Sequence, residues 1–351
     1  MKRKYVAVSE CKEGDILAED ILSNTGTLVV PSKTIITDNI IDRLTSFKIT
    51  DVIIFISEVQ ADEQSSKPIQ KLKKDYGHKT QQVKTLLEDF ASGKNMDSKK
   101  VNEITDFMYN QVTSNYDIVQ CISHIRSMGD MTYTHSMNVS TYAMLIGKWI
   151  ELPEEDTKDL MVAGVLHDIG KVKIPVEILS KADSLTPEEN EILKKHPIYG
   201  YEILKDVPNI NENIKNAILM HHEREDGSGY PQGIRGDRIN LFAKILSLAD
   251  AYDLIMSQKN GQRFNTPFEA IDEFNKVGLG YFDAKILMTF LSRISNYYVG
   301  TKVKMSTGAI GEIISILPHS ISKPIIKIGD KFIDLSKNNR IHITEIVDGT
   351  A

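Results

Sequence analysis

The sequence predicts a mainly α protein, a central helical block with a small α/β unit before it and a short β-rich segment after it. Three observations lead there. Residues 101–296 carry apolar residues at helical spacing in one segment after another. The first 60 residues set strand-like runs, "GTLVVP" and "TDVIIFIS", around a helix-like "TDNIIDRLTSF". From residue 297 the pattern changes to short runs rich in β-branched residues: "TKVKMS", "GEIISIL", "KPIIKIG", "KFIDLS" and "RIHITEIV".

In chain order, residues 1–60 form the small α/β unit, with Thr37 or Asp38 as the helix N-cap. They carry no recognisable phosphoacceptor or cofactor motif and are read as a regulatory or dimerising unit, so a homodimer is considered. Residues 61–100 are polar and charged, a linker with helix expected in its second half. Residues 101–296 hold all the candidate chemistry. Residues 297–351 form an appended β module. No internal repeat is visible.

Composition narrows the function. The 351 residues suffice for two or three units at about 100–200 residues each. Hydrophobic residues at 41% and charged residues at 26% are a soluble globular balance. A net charge of −6 speaks against a nucleic-acid polymer as partner. An anionic substrate would need local positive charge from basic side chains or metal ions. Cys11 and Cys121 form neither a metal-type pair nor a disulfide framework, which fits a reducing compartment. The start "MKRKYVAVSECKEGD" lacks the apolar core of a signal peptide, and no run of about 18 apolar residues follows. A cytoplasmic location without a membrane span is therefore expected.

Within the helical block, five of the nine histidines fall into a pattern with aspartates. "YTHSMNVSTYAMLIGKW" places His135 near a helix start. "LMVAGVLHDIGK" carries His167 and Asp168, "EILKKHPIYGYEIL" His196, and "IKNAILMHHERED" His221 and His222. "LFAKILSLADAYDLI" carries Asp250 and Asp253. Each has an ordinary alternative. A lone helical histidine can be a hydrogen-bonded core residue, and a pair at a helix end can serve the helix dipole. Gly170 can be the C′ glycine of a helix stop. Their joint occurrence inside one helical block favours metal ligation. Neutral imidazoles and carboxylates suit Fe, Mn or Zn, and the set is too large for one tetrahedral ion.

"HDIGK" (167–171), "HP" (196–197), "HHEREDGSGYPQG" (221–233) and "LADAYD" (248–253) resemble the HD-GYP domain. This is the bacterial branch of the HD-superfamily metal phosphohydrolases, which cleaves the second messenger cyclic di-GMP. The resemblance covers about residues 115–295. It implies an HD-type helical bundle around two divalent cations, with Fe or Mn the expected occupants. Residue by residue, it implies His135, His167, Asp168, His196, His221, His222 and Asp250 as ligands, with Asp168 bridging. One cation would take His135, His167 and Asp250, the other His196, His221 and His222.

The resemblance also implies a mechanism. A water activated between the two cations would attack phosphorus opposite the leaving 3′ oxygen. Lys171 would reach the substrate phosphate. Asp253 would hold that water, or serve equally well as a supporting or capping carboxylate. Tyr230 would stack on guanine or pack against a neighbour, and its loop would contact protein partners. The sequence departs from the family pattern twice. Met131 stands where some members carry a Glu that holds a third metal, so two metals are expected. "SQKNGQRFN" (257–265) replaces a stretch whose basic residues hold substrate phosphates. Lys259 and Arg263 keep charge there, but Lys259 lacks the bidentate geometry of arginine. The expected function is a cyclic di-GMP phosphodiesterase yielding pGpG or GMP. The alternatives are a catalytically weak cyclic-dinucleotide sensor and an HD phosphohydrolase for another cyclic or linear nucleotide.

Overall fold

The computed structural model of the chain describes residues 2–22, 28–32, 34–56, 58–91, 98–114, 131–181, 185–208, 210–257, 266–338 and 340–347. The N-terminal unit runs β1 (Lys2–Ala7), β2 (Ile16–Leu17), β3 (Ile21–Leu22), β4 (Leu28–Val30), α1 (Asp38–Ser46) and β5 (Asp51–Ile56). β5 lies between β1 and β2, antiparallel to both, and β3 and β4 form a separate ribbon. Successive strand residues face opposite ways, and both faces of this sheet are buried. Val6, Val52 and Ile54 join Leu17, Ile36 and Leu44 in the unit's own core. Tyr5 and Ile53 join the core of the helical block. The expected strands at 26–31 and 50–57 appear as β4 and β5. β1 escaped notice because "KRKYVA" mixes charge with its apolar residues. Thr37 occupies the N-cap, but its side chain makes no capping hydrogen bond.

α2 (Glu58–Ala91) is one continuous helix of 34 residues. Helix was expected only in the second half of this polar stretch. Gln, Lys and Glu are good helix formers, so a charged composition does not exclude helix. Its second half buries Tyr76, Val83 and Leu86. α3 (Ser98–Ser114) buries Val101, Ile104, Thr105 and Met108, a stripe at helical spacing.

The helical block continues with α4 (Met131–Trp149), α5 (Glu154–Leu166), α6 (Val176–Leu179), α7 (Pro187–Leu193), α8 (His196–Leu204), α9 (Glu212–Met220), α10 (Leu241–Ser257), α11 (Pro267–Tyr281) and α12 (Ala284–Asn296). Local sequence starts several of these helices. Thr186 and Glu189 form a reciprocal capping box on α7. Asn211, Thr266 and Asp283 accept backbone N–H bonds at the starts of α9, α11 and α12. α4, α5 and α10 are buried along most of their length and form the centre of the bundle. α4 carries polar residues inside, and each of three has a partner. Ser140 donates to the Met161 carbonyl (2.9 Å), Thr141 to the Met137 carbonyl (2.8 Å), and Asn138 to Asp253 (3.0 Å).

The C-terminal strands are β6 (Lys302–Met305), β7 (Ile310–Leu317), β8 (Ser320–Ile328), β9 (Lys331–Asp334) and β10 (Ile343–Val347). They form an antiparallel sheet in the order β10-β6-β7-β8-β9. All five lie within or beside the runs read from the sequence. Val303, Met305, Ile313 and Ile326 bury one face of it in the main core. No described helix is long and apolar enough to cross a membrane.

An aromatic cluster ties α4, α10 and α12 together. The Phe290 ring meets Tyr252 edge-on at 4.8 Å and Tyr142 at 6.3 Å, and it is fully buried. Phe290→Ala is expected to destabilise the protein by about 3–5 kcal/mol, as a large core truncation does. Chemical denaturation of the two proteins measures it.

Candidate metal centre

Three of the predicted ligands sit where one helix ends or the next begins. His167 caps the C-terminus of α5, His221 caps that of α9, and His196 opens α8 directly after α7. Each uses this position in the same way. The Nδ1–H groups of His167, His196 and His221 donate to the carbonyls of Gly164 (2.8 Å), Leu193 (2.9 Å) and Ile218 (2.7 Å). A carbonyl only accepts, so the proton is on Nδ1 and each Nε2 presents a lone pair inward.

Those lone pairs converge. Nε2 of His196 and His221 face each other at 3.3 Å, and His167 Nε2 is buried without a hydrogen-bond partner among the described residues. Burial lowers the basicity of His196 and His221, with the neighbouring imidazoles adding to the effect on His221. Burial also brings His222 down to about 3. Neutral imidazoles with inward lone pairs are the state a cation requires.

Two carboxylates lie among these histidines. Asp168 Oδ2 lies 3.5 Å from His167 Nε2 and 4.0 Å from His135 Nε2, while its Oδ1 lies 3.4 Å from His196 Nε2. Its two oxygens thus face the two halves of the histidine set. Asp250 Oδ1 lies 3.2 Å from His135 Nε2, and its Oδ2 lies 3.9 Å from His222 Nδ1. Burial opposes charge on Asp168, yet Lys171 and the histidines hold it well below the usual carboxylate range. Burial likewise opposes charge on His135, but Asp250 and Asp253 outweigh it and push His135 up to about 10. One ligand atom from each of His135, His167 and Asp250 lies within 4.8 Å of the others. The same holds for His196, His221 and His222, and for His167, Asp168 and His221. The residues therefore fit divalent cations, by donor type and by the unpartnered His167 nitrogen.

The other expected site residues divide. Lys171 Nζ is 2.6 Å from Asp168 Oδ2, with 37% of its side chain exposed, so it touches both the cluster and solvent. Asp253 is fully buried behind His135. Its Oδ2 is 2.8 Å from His135 Nδ1 and its Oδ1 accepts from Asn138. Of the two roles expected for Asp253, contact with a water or support of a neighbouring group, this geometry is that of the second. Tyr230 stacks on the His222 ring with centroids 4.6 Å apart. Lys259 and Arg263 lie outside the described residues, as does the Met131 side chain.

Two glycines permit close backbone approach. Gly170 was expected to turn the chain. Its φ is not positive, and Ile169–Lys173 form a 3-10 turn. A Cβ there would lie 1.9 Å from the His196 carbonyl oxygen. Gly170 therefore lets the His167–Asp168 segment touch the start of α8. A Cβ on Gly229 would lie 2.4 Å from the His222 carbonyl oxygen, so this glycine lets the 228–233 loop lie against the histidine pair.

Sequence reasoning missed several residues. The buried Glu223 carboxylate accepts from the backbone N–H groups of Gln232 (2.7 Å) and Ile234 (3.1 Å) and so pins that loop. Arg224 donates to Ser247 and lies over the Phe282 ring. Both follow His221-His222 directly, and charges continuing a buried segment are a usable signal. Beside the cluster lies a cavity of about 510 Å³, lined by His222, Arg224, Tyr230, Ile255, Phe274 and Phe282 among others.

The HD domain family model matches residues 119–286. The chain is 28% identical to cyclic di-GMP phosphodiesterase PA4108 of Pseudomonas aeruginosa, covering 70% of this chain and 59% of that protein. It is 31% identical to cyclic di-GMP phosphodiesterase PdeB of Borreliella burgdorferi, covering 59% of this chain and 55% of that protein. It is 30% identical to 3'3'-cGAMP-specific phosphodiesterase 2 of Vibrio cholerae, over 50% of this chain and 33% of that protein. The chain thus spans less than two thirds of the length of these relatives. Bd1817, an HDG"Y"P protein of Bdellovibrio bacteriovorus, shares the fold with a TM-score of 0.52 at 20% identity, over 82% of this chain and 98% of that one.

His135 lies between Asp250 and Asp253 and is pushed up to about 10, so it holds a proton on Nε2 at neutral pH. A cation at that nitrogen must displace the proton. Loading with Mn²⁺ at pH 7.5 is expected to release about one proton per chain from this residue. Apparent affinity should then rise about tenfold per pH unit across the neutral range. Calorimetric titrations in buffers of different ionisation enthalpy count the protons.

Proposed function

We propose that the chain is a metal-dependent phosphodiesterase of the HD domain type, whose family model matches residues 119–286, and that it hydrolyses cyclic di-GMP to pGpG or GMP. The observation that carries this reading is the convergence of five histidines and two aspartates around the unpartnered His167 nitrogen. The adjoining cavity, walled by aromatic side chains, suits a nucleobase.

In this reading the centre holds two cations, Fe or Mn. His135, His167 and Asp250 would hold one, His196, His221 and His222 the other, and Asp168 would be shared between them. Such cations would supply Lewis acidity toward the phosphoryl oxygens and a nucleophilic water. Hydrolysis adds water across the phosphorus–O3′ bond, and the protein's own groups orient it. Lys171, anchored on Asp168 and open to solvent, neutralises a non-bridging phosphate oxygen. Asp253 orients His135 by accepting its Nδ1–H. Tyr230, held over His222, borders the cavity and contacts a base, and Lys259 and Arg263 add positive charge toward the second phosphate. The cytoplasmic location, protein partners at the 228–233 loop and a homodimer belong to the same reading.

The presence of cGAMP-specific enzymes among the relatives supports a second reading, a different cyclic dinucleotide at the same site. The replacement of the family's basic stretch by Lys259 and Gln262 favours a third, a catalytically weak sensor. Incubating Mn- or Fe-loaded protein anaerobically with cyclic di-GMP, cGAMP and linear nucleotides separates them. Hydrolysis of cyclic di-GMP at the highest kcat/KM is the expected result. Binding without turnover of any of them would establish the sensor.

Two substitutions test the assignments. Asp168→Ala removes the charge facing both histidine sets, so metal content and activity should fall together. Full metal content with wild-type turnover would overturn the bridging assignment. Lys171→Ala should keep normal metal content while lowering turnover by ~10²-fold, as loss of one oxyanion donor does. Lys171→Arg should restore only part, because a planar fork does not replace a compact ammonium. Wild-type turnover in Lys171→Ala would make the lysine structural.

A further inference from the structure

α2 lies outside the stretch matched by the family model, yet one of its side chains connects to the metal centre. The Tyr76 hydroxyl donates to Asn138 Oδ1 at 2.8 Å. Asn138 Nδ2 donates to Asp253 Oδ1 at 3.0 Å. Asp253 Oδ2 lies 2.8 Å from His135 Nδ1, and His135 Nε2 lies 3.2 Å from Asp250. Tyr76 and Asp253 are fully buried and Asn138 nearly so.

Chemistry sets the direction of every link. An ionised carboxylate only accepts, so Asn138 must turn its NH₂ toward Asp253. Its carbonyl oxygen then faces Tyr76, which must donate. Asp253 in turn takes the Nδ1–H of His135 and leaves Nε2 to the cluster. The reverse amide orientation would set a carbonyl oxygen against the Asp253 carboxylate. Each group in the chain therefore holds the next in one orientation.

We propose that Tyr76 is a positioning residue that orients His135 through Asn138 and Asp253, so that the geometry of the metal centre depends on where α2 sits. The proposal rests on the metal-centre reading above. α2 follows β5 of the N-terminal unit after one residue, so a displacement of that helix reaches His135 through hydrogen bonds alone. Without the hydroxyl, the buried Asn138 oxygen loses this donor and the amide loses one of the contacts that fix it. Asp253 and the His135 ring then gain freedom to turn.

The test is Tyr76→Phe, which keeps the ring in its packed site and removes only the hydroxyl. Mn²⁺ affinity of the full chain is measured by competition with a chromophoric chelator, beside thermal unfolding of the metal-free protein. The expected result is an affinity about tenfold weaker at one of the two sites, the low end for loss of a group behind a ligand. In the Asn138→Ala background, the same substitution should weaken binding by no more than about twofold, because the connection is already cut. Unchanged Mn²⁺ affinity in Tyr76→Phe would overturn the proposal, whatever the change in unfolding temperature. An equal tenfold loss in the Asn138→Ala background would overturn it too, since Tyr76 would then act by another route. A wild-type chain that binds no Mn²⁺ and no Fe²⁺ would instead overturn the metal-centre reading, and this proposal with it.

Discussion

The structure is organised around an electrostatic demand. Imidazole lone pairs and two carboxylates converge inside a helical bundle, where an unpaired polar atom costs about 1–3 kcal/mol and a lone charge more. The histidine nitrogens of 196 and 221 face each other, and that of 167 has no hydrogen-bond partner among the described residues. His135 and Lys171 offset part of the aspartate charge. The arrangement makes physical sense as a receptor for positive charge that the chain does not itself provide. Everything nearby holds these atoms in place against their mutual repulsion.

The backbone does much of that holding. Three of the candidate ligands use helix ends, where carbonyls are left without helical partners and can accept an imidazole N–H. The helix terminus thus determines the tautomer, and the tautomer determines which nitrogen faces the cluster. Close contacts then bring the segments together. Gly170 admits the His196 carbonyl and Gly229 admits the His222 carbonyl at distances that a side chain would forbid. Glu223 fixes the other end of the 228–233 loop through two backbone N–H groups. Tyr230 is carried over His222 as a result, so one wall of the adjoining cavity depends on the same segment that supplies His221 and His222.

The flanking units are packed onto the bundle. Tyr5 and Ile53, on the outer face of the N-terminal sheet, belong to the main core, and Arg293 of α12 reaches both Tyr5 and Asp51. The C-terminal sheet buries Val303, Met305 and Ile313 in that core. α2 supplies Tyr76, whose hydroxyl ends a hydrogen-bonded series that starts at His135. Movement of either flanking unit would therefore be resisted by apolar burial.

The histidines and aspartates that the structure brings together were legible in the sequence as candidate ligands because their chemistry is written in residue type. Histidine and aspartate on apolar helical segments have few uses, and five such segments in one block have fewer. The five C-terminal strands were legible for a similar reason, since β-branched runs separated by turn residues determine their own conformation. The continuous helix of 58–91 was obscured by its charge, which resembles that of a linker, while its buried stripe of Tyr76, Val83 and Leu86 is sparse. Gly170 reads as a turn in the sequence, and only the packing of α8 against it makes it a contact point. Asp253 has the same character. Its spacing from Asp250 puts both carboxylates on α10, but which of them faces the cluster and which lies behind His135 depends on the neighbouring helix α4. Tyr76 carries no local signal, because its partner lies 62 positions away. The sequence by itself determined which groups could bind a cation. Tertiary structure decided which side chains aim them, since aiming depends on contacts between helices far apart in the chain.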